Sequence, residues 1–485
     1  MASTKKGLTA RVAAGFGAVA LATLTALGGA LPASAAPNID PQEPGSIIIH
    51  KFEQPVERGD VGTGLELGED ALAGLEPVAG VEFTVTRVTS LDVLDNDTWA
   101  KLGVGLTGAD VVNGVGGPYE FGTPVVGSTD GDGLLEVDGL PVGVYLVQES
   151  AVPAPSVGGP NVVIQPAPFL VVLPQVDEST GDWFYDVHVY PKNTTALASK
   201  SVSAPDHQVL GTTIEWAITS HAPVPSQGTA LTSYVVRDDL AAQLDYVEGS
   251  IVVTVAGTAL ELGDDYTLSA PGGAGGTLSV TFTGAGRQAL LDNPGAEVSV
   301  TFDTAVVAVS ATGAIANTGA VVINGTTVPT NTVTDHWGAV ELFKHDASER
   351  GLSGAVFELR DSSGVALLDG SGDPIRYTSG ANGVIAIDGL RTASPTGLAY
   401  QLVEITAPSG YVLPANPADR VHSFTVAPGT PAGYEVTVEN EQVPPYQLPV
   451  TGGTGQVAFM IGGFGLVALA LGFALARRRK EQAQA

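Results

Sequence analysis

The sequence predicts an all-β protein whose body is three tandem β-sandwiches. Turn-forming residues are abundant, with 62 Gly and 32 Pro, a composition that suits many short strands and not long helices. Apolar and polar residues alternate in short runs throughout, and Gly, Pro, Asn and Asp clusters separate the runs. At 485 residues the chain is too long for a single hydrophobic core.

The elements follow in chain order. Residues 1–35 carry a basic start (Lys5, Lys6, Arg11), an apolar run and Ala33-Ser34-Ala35. That is the pattern of a secretory signal cleaved after Ala35, with Ala36 a close alternative. The first sandwich, 36–193, holds "SIIIHKFE" (46–53), "VEFTVTRV" (81–88), "VYLVQES" (144–150) and "FLVVLP" (169–174). The body's one expected helix is short and lies around 91–102. The second sandwich, 194–334, holds "TIEWAITS" (213–220), "SIVVTVAG" (250–257), "LSVTFTG" (278–284) and "EVSVTFDTAVVAV" (297–309). The third, 335–445, holds "AVELFKHD" (339–346), "AVFELRD" (355–361), "YQLVEIT" (400–406) and "YEVTVEN" (434–440). Residues 446–485 form the tail. Within it 455–476 carry no charge, enough at 1.5 Å per residue to span a bilayer, and "RRRK" (477–480) follows on the cytoplasmic side.

The first and third sandwiches repeat one another. "STDGDGLLEVDGLPVGVYLVQE" (128–149) and "TSGANGVIAIDGLRTASPTGLAYQLVE" (378–404) share a Gly turn, Asp-Gly-Leu and a Tyr-x-(Val/Leu)-x-Glu strand. Each repeat begins on a strand with one lysine (Lys51, Lys344) and ends on a strand with an asparagine (Asn193, Asn440).

Charge and composition exclude several classes. The chain has no Cys, which rules out disulfides, thiolate metal sites and a cysteine nucleophile. The two end segments hold seven of the 21 Lys and Arg and one of the 51 Asp and Glu, so the part between them carries a formal charge near −36. Such a surface repels nucleic acid and anionic lipid. The histidines show no metal-ligand spacing, and no metal or other cofactor is expected. His50 is expected to face solvent. There is no phosphate loop and no nucleophile elbow, so an enzyme is not expected.

Lysine is the informative residue. Only Lys51, Lys101, Lys192, Lys200 and Lys344 lie between the two ends. Lys344 alternates with Leu342 and Val340, Glu404 with Leu402 and Tyr400, and Asn440 with Val438 and Val436, so all three point inward. Burial neutralises both an amine and a carboxyl. A neutral amine can then attack the Asn carbonyl carbon while the acid holds the carbonyl oxygen and shuttles protons. Ammonia leaves and a Lys–Asn isopeptide bond remains. Fixed proximity, worth on the order of 10⁵ M in favourable cases, removes the need for an enzyme. The competing reading is a buried salt bridge that never reacts.

At this point the residues carry a family resemblance. Leu448-Pro449-Val450-Thr451-Gly452, followed by the apolar span and basic tail, resembles a sortase sorting signal. Trp183-x₃-Val187-x-Val189-Tyr190-Pro191-Lys192 resembles the pilin motif. "YQLVEITAPSGY" (400–411) resembles the E-box, with Ile405 where Thr is usual, and "YLVQESAVP" (145–153) resembles part of one. The whole chain is similar to the major (shaft) pilins of Gram-positive sortase-assembled pili, of the actinobacterial fimbrial subunit type.

The resemblance implies immunoglobulin-like sandwiches of Cna type, CnaB-like first and third and CnaA-like in the middle. It implies that sortase cuts between Thr451 and Gly452 and joins Thr451 to Lys192 of another subunit. Lys192 must then be exposed, and Lys101 is the next candidate. In the middle sandwich it implies an isopeptide pair Lys200 and Asn317 with Asp238 assisting. Asp239 is the alternative, and opposite strand parity lets only one of the two face in. In the first sandwich it implies Lys51, Asn193 and Glu149. The implied partners are pilus-specific and housekeeping sortases, further copies of the chain, tip and base pilins, and peptidoglycan. The implied role is surface adhesion and biofilm formation from a wall-attached pilus. The alternative is a monomeric wall-anchored adhesin or ancillary tip pilin, which would need the sorting signal but not Lys192.

Overall fold

The computed structural model describes residues 38–57, 59, 62–226, 228–445 and 454–482. The expected signal segment 1–35 with its cleavage position and the sorting motif Leu448, Pro449, Val450, Thr451, Gly452 lie outside the described residues.

In the first body Gly45–His50 lies between Leu134–Leu140, antiparallel, and Asp186–Val189, parallel. This sheet faces a second one ordered Val125–Ser128, Glu82–Arg87, Gly143–Ala151, Phe169–Leu173. Ile47, Ile49, Phe83, Val85, Val147 and Val187 fill the space between. The run 144–147 is apolar without alternation because its sheet is covered on both faces. Val144 and Leu146 pack outward under a cluster that includes Leu91, Val93 and Val111.

Two of that cluster's elements are helices, Asn96–Gly103 and Gly108–Val112. The expectation of a single helix is therefore corrected. Glu69–Leu72 and Gly284–Asp292 are also helical. These helices have one to three turns, and all but Glu69–Leu72 carry a side-chain N-cap and bury part of one face. Thr107 and Asp110 form a capping box, Thr283 accepts from the Gly286 N–H, and Leu290 is fully buried.

The second body packs Ala198–Ser203, Thr213–His221, Glu297–Val306 and Val252–Val255 against Tyr266–Ser269, Gly276–Phe282, Tyr234–Leu240 and Ala314–Ile323. Trp216, Phe302, Tyr234 and Phe282 centre its core. The third packs Val384–Arg391, Val333–His345 and Tyr434–Glu439 against Arg376–Thr378, Val356–Asp361, Leu398–Thr406 and Val421–Val426. The repeated tyrosines do the same job in both repeats. The Tyr145 hydroxyl donates to Pro141 O at 2.5 Å and the Tyr400 hydroxyl to Arg391 O at 2.6 Å.

The second and third bodies share a strand. Val333–His345 pairs with 314–317 at its start and with 384–391 and 434–439 further on. Arg391 seals this joint. Its guanidinium donates to buried Asp335 (2.9–3.2 Å) and to Ala204 O and Pro205 O (3.2 and 2.8 Å), and the Trp337 indole N–H donates to the same carboxylate at 2.7 Å. Arg391→Leu strands a buried carboxylate, so a loss of about 3–5 kcal/mol is expected, read by denaturant unfolding. Adding Asp335→Leu is expected to restore part of it.

The C-terminal helix is Thr454–Gln482. Val457–Arg479 is long and apolar enough to cross a membrane, with mean hydropathy 2.2, and is buried against nothing in the protein.

Candidate functional site: three buried lysines and one at a strand end

In the first body the run 46–53 breaks at Lys51, between Gly45–His50 and Phe52–Glu53. Phe52–Glu53 pairs in parallel with Lys192–Ala196, which brings Asn193 beside Lys51. Glu149 reaches them from the facing sheet. The fully buried Lys51 Nζ donates to Asn193 Oδ1 at 2.8 Å and to Glu149 Oε1. Burial pushes the Lys51 amine down to about 8, against the pull of the Glu149 charge. Burial also pushes Glu149 up, and the charge of Lys51 opposes it. Phe83 pairs with Glu149 in register, and its ring centre lies 5.8 Å from Nζ.

The third body repeats this arrangement. Parallel register sets Lys344 across from Val438, two residues before Asn440, and Phe357 pairs with Glu404 as Phe83 does with Glu149. Lys344, Glu404 and Asn440 are all buried. Lys344 Nζ donates to Val438 O at 3.0 Å, and Asn440 Nδ2 donates to Val412 O at 2.7 Å. Among the described residues neither Glu404 oxygen nor Asn440 Oδ1 makes a well-formed hydrogen bond, although Asn440 is near enough to act on the Glu404 carboxyl. Burial brings Lys344 down to about 8, opposed by Glu404 and Glu439, and raises Glu404. An unpaired buried carboxyl is best kept neutral, and a neutral carboxyl has a proton to donate.

The middle body is built differently. Lys200 projects from the first strand of one sheet, whereas Asp238 and Asn317 project from neighbouring strands of the other. Lys200 Nζ donates to Asp238 Oδ2 and lies 4.9 Å from the Trp216 ring centre and 5.2 Å from that of Phe302. Asp238 is buried, while Asp239 is exposed and accepts from Thr277 Oγ1 at 2.8 Å. Burial lowers Lys200 and raises Asp238, each opposed by the partner's charge. Asn317 is buried beside Asp238 without a well-formed hydrogen bond on either polar atom.

All three groups set an amine, a carboxyl and a carboxamide in one dry space. Such an arrangement favours the neutral amine and the neutral acid, the forms that amide exchange needs.

Lys192 faces the other way, because its neighbour Asn193 points inward. It is half-buried where the sequence led us to expect an exposed side chain. Its Nζ donates to Tyr190 O at 3.2 Å, and burial lowers its pKa. Ser226 Oγ donates to its carbonyl at 2.9 Å. The motif residues before it anchor the strand. The Trp183 ring lies 6.0 Å from Trp99, Val187 is fully buried, and Val189 packs on the core. The Tyr190 hydroxyl accepts from Leu67 N–H at 2.7 Å, and Phe52 N–H donates to Pro191 O at 3.3 Å. His50 does not face solvent. It is half-buried and stacked on Tyr190. Lys101 is exposed on its helix.

Sequence reading missed the aromatics beside these groups: Phe83 near Lys51, Trp216 and Phe302 near Lys200, and Phe357 across from Glu404. Cross-strand register pairs Phe83 with Glu149 and Phe357 with Glu404, while Trp216 and Phe302 pair with each other and meet Lys200 across the core, and no spacing along the chain encodes these contacts.

Residues 42–194 match the family described as Gram-positive pilin subunit D1, N-terminal domain, and 196–336 the Sgo0707 N2 domain. Residues 338–442 match a prealbumin-like fold domain and 447–482 the LPXTG cell wall anchor motif. The chain is 30% identical to fimbrial subunit type 2 of Actinomyces naeslundii over 97% of both proteins, and 30% identical to fimbrial subunit type 1 of Actinomyces viscosus over 99% of both. The structure resembles the full-length major pilin SpaD from Corynebacterium diphtheriae, with TM-score 0.68 and 28% identity, over 84% of this chain and 99% of that one. With a pilin domain in front, an anchor motif behind and full-length similarity to fimbrial subunits, the chain belongs to the sortase-assembled major pilins of Gram-positive bacteria and is a cell-wall-anchored surface protein.

Proposed function

We propose that the chain is the repeating subunit of a covalent pilus shaft, joined head to tail through an amide between the Thr451 carbonyl and Lys192 Nζ. A pilus sortase breaks the Thr451–Gly452 bond and holds Thr451 as a thioester. The Lys192 amine of another subunit displaces the thiol. A housekeeping sortase passes the last subunit to peptidoglycan, and tip and base pilins cap the shaft, which serves surface adhesion. The observation that carries this reading is the division of the lysines. Lys51, Lys200 and Lys344 are buried, whereas Lys192 is half-buried and opens the strand Lys192–Ala196 just after the pilin-motif strand Asp186–Val189. Tandem mass spectrometry of proteolysed fibres is expected to recover a peptide joining Thr451 to Lys192. Finding Thr451 joined only to Lys101, or never joined, overturns the reading.

We propose further that Lys51–Asn193, Lys200–Asn317 and Lys344–Asn440 close as isopeptide bonds, assisted by Glu149, Asp238 and Glu404. Each closure expels ammonia, about 17 Da, because the amine replaces the carboxamide nitrogen. Three such losses in the intact mass, mapped to these three pairs, are the expected result. Force entering at Lys192 and leaving at Thr451 then crosses the second and third sandwiches through covalent links, with the first hanging beside the path.

A further inference from the structure

Beside the Lys192 strand, on its outer face, stands a stack of three rings that the joining reaction above does not use. The parallel register Ile48↔His188 and Ile49↔Val189 continues to set His50 opposite Tyr190. The His50 and Tyr190 rings stack at 4.6 Å and 14°, and the His50 and His188 rings at 5.2 Å and 22°. His50 Nε2 and His188 Nδ1 are 2.9 Å apart, a hydrogen bond that needs one N–H and one lone pair.

This stack is tied to a covering segment and to the acceptor lysine. His188 N–H donates to Gly64 O at 2.8 Å, and the Tyr190 hydroxyl accepts from Leu67 N–H. The carbonyl of the same Tyr190 holds Lys192 Nζ. Next in register, Phe52 pairs with Lys192. The rings therefore fix Tyr190, and Tyr190 fixes the amine.

We propose that His50 and His188 are positioning residues for the joining reaction. As a hydrogen-bonded pair stacked on Tyr190 they hold Lys192 for attack, and a second proton on the pair releases it. The proposal rests on Lys192 being the acceptor. Two neutral imidazoles, or one neutral and one protonated, can share the bond. Two imidazolium rings cannot, because both facing nitrogens then carry a proton and like charges meet at 2.9 Å.

Among the described residues, the charged and titratable groups around the pair come from four elements. Tyr190 lies just after the His188 strand and Lys192 opens the next one, Asp186 shares the His188 strand two positions earlier, Glu66 comes from the covering segment, and Glu136 from the neighbouring strand, where it pairs with Ile48. Burial and the neighbouring His188 hold His50 below the usual imidazole range, and Glu66 partly offsets them. The pair is thus uncharged or singly charged at neutral pH. Its contribution is complete above the ordinary histidine range and is lost as pH falls through the lowered His50 value.

The test uses the full-length chain in detergent, its pilus sortase and a donor peptide containing Leu-Pro-Val-Thr-Gly. Attachment to Lys192 is measured by mass spectrometry from about pH 8 to about pH 5, across the histidine range. Triglycine as the amine gives the profile of sortase alone, which is divided out. The corrected wild-type rate is expected to fall at least ~10-fold on the acid side as the pair charges. His50→Phe/His188→Phe keeps stacking rings that take no proton, so its corrected profile is expected to be flat. Hydrogen exchange at the Leu67 amide gives a second readout without sortase, with protection lost in acid in the wild type and kept in the double variant. A flat wild-type profile, or an acid fall that survives in the double variant, overturns the proposal. Lys192→Ala separates the two layers. If that chain still takes the donor at the wild-type rate, the acceptor assignment fails and the positioning role falls with it. If Lys192→Ala is inert but removing both rings (His50→Ala/His188→Ala) changes neither rate nor profile, only the positioning role fails.

Discussion

Lys192→Ala is expected to abolish the high-molecular-weight ladder on denaturing gels of wall extracts and leave the subunit as monomer. The effect is all-or-none because the other amines cannot substitute. Lys51, Lys200 and Lys344 are buried and engaged. An arginine placed at 192 does not rescue, since a guanidinium stays protonated and is not a nucleophile at neutral pH. The variant should fold normally, because among the described residues the Lys192 side chain makes one hydrogen bond, to the carbonyl of Tyr190 two positions before it. Lys101 is exposed on a helix without the motif's strand and ring supports. A surviving ladder carried by Lys101 defeats the assignment.

The second large effect is expected from Glu404→Ala. It removes the buried carboxyl beside Lys344 and Asn440 and leaves both reactants in place. Loss of a positioned acid costs about 10²–10⁴ in rate, so the Lys344–Asn440 crosslink should be missing and the protein about 17 Da heavier at that site, by the same reaction stoichiometry. If closing a chain of this length acts as a disulfide does, losing the bond removes about 4–5 kcal/mol of stability by restoring freedom to the unfolded chain. Differential scanning calorimetry reads the loss. Glu404→Gln should behave like the alanine variant in mass, because an amide cannot shuttle protons. A crosslinked Glu404→Ala protein contradicts the proposed role.

Period-two alternation revealed much of this site. It put Lys344 on the inward face with Leu342 and Val340, where the structure buries it. It also stated that only one of Asp238 and Asp239 faces in, and the strand Tyr234–Leu240 buries Asp238. What alternation could not supply was register between strands far apart in the chain. The pairing of Phe357 with Glu404, the His50–His188 contact and the Asp335–Arg391 lock all join residues tens to more than a hundred positions apart. His50 was misjudged for this reason. Its parity correctly points away from the core, but the 62–67 segment covers that outer face. The extra helices were hidden because short capped turns in Gly-rich sequence carry too few residues to show a period.

Consider last the strand Val333–His345, which leaves one sheet and enters the next without a break. A continuous strand with a buried guanidinium across it offers no loose tether about which two bodies can swing. The rear two-thirds of every subunit then moves as a single stiff lever. In the proposed shaft any curvature then gathers at the joints outside that lever, in front of it and between successive subunits, as in a linked chain of rods.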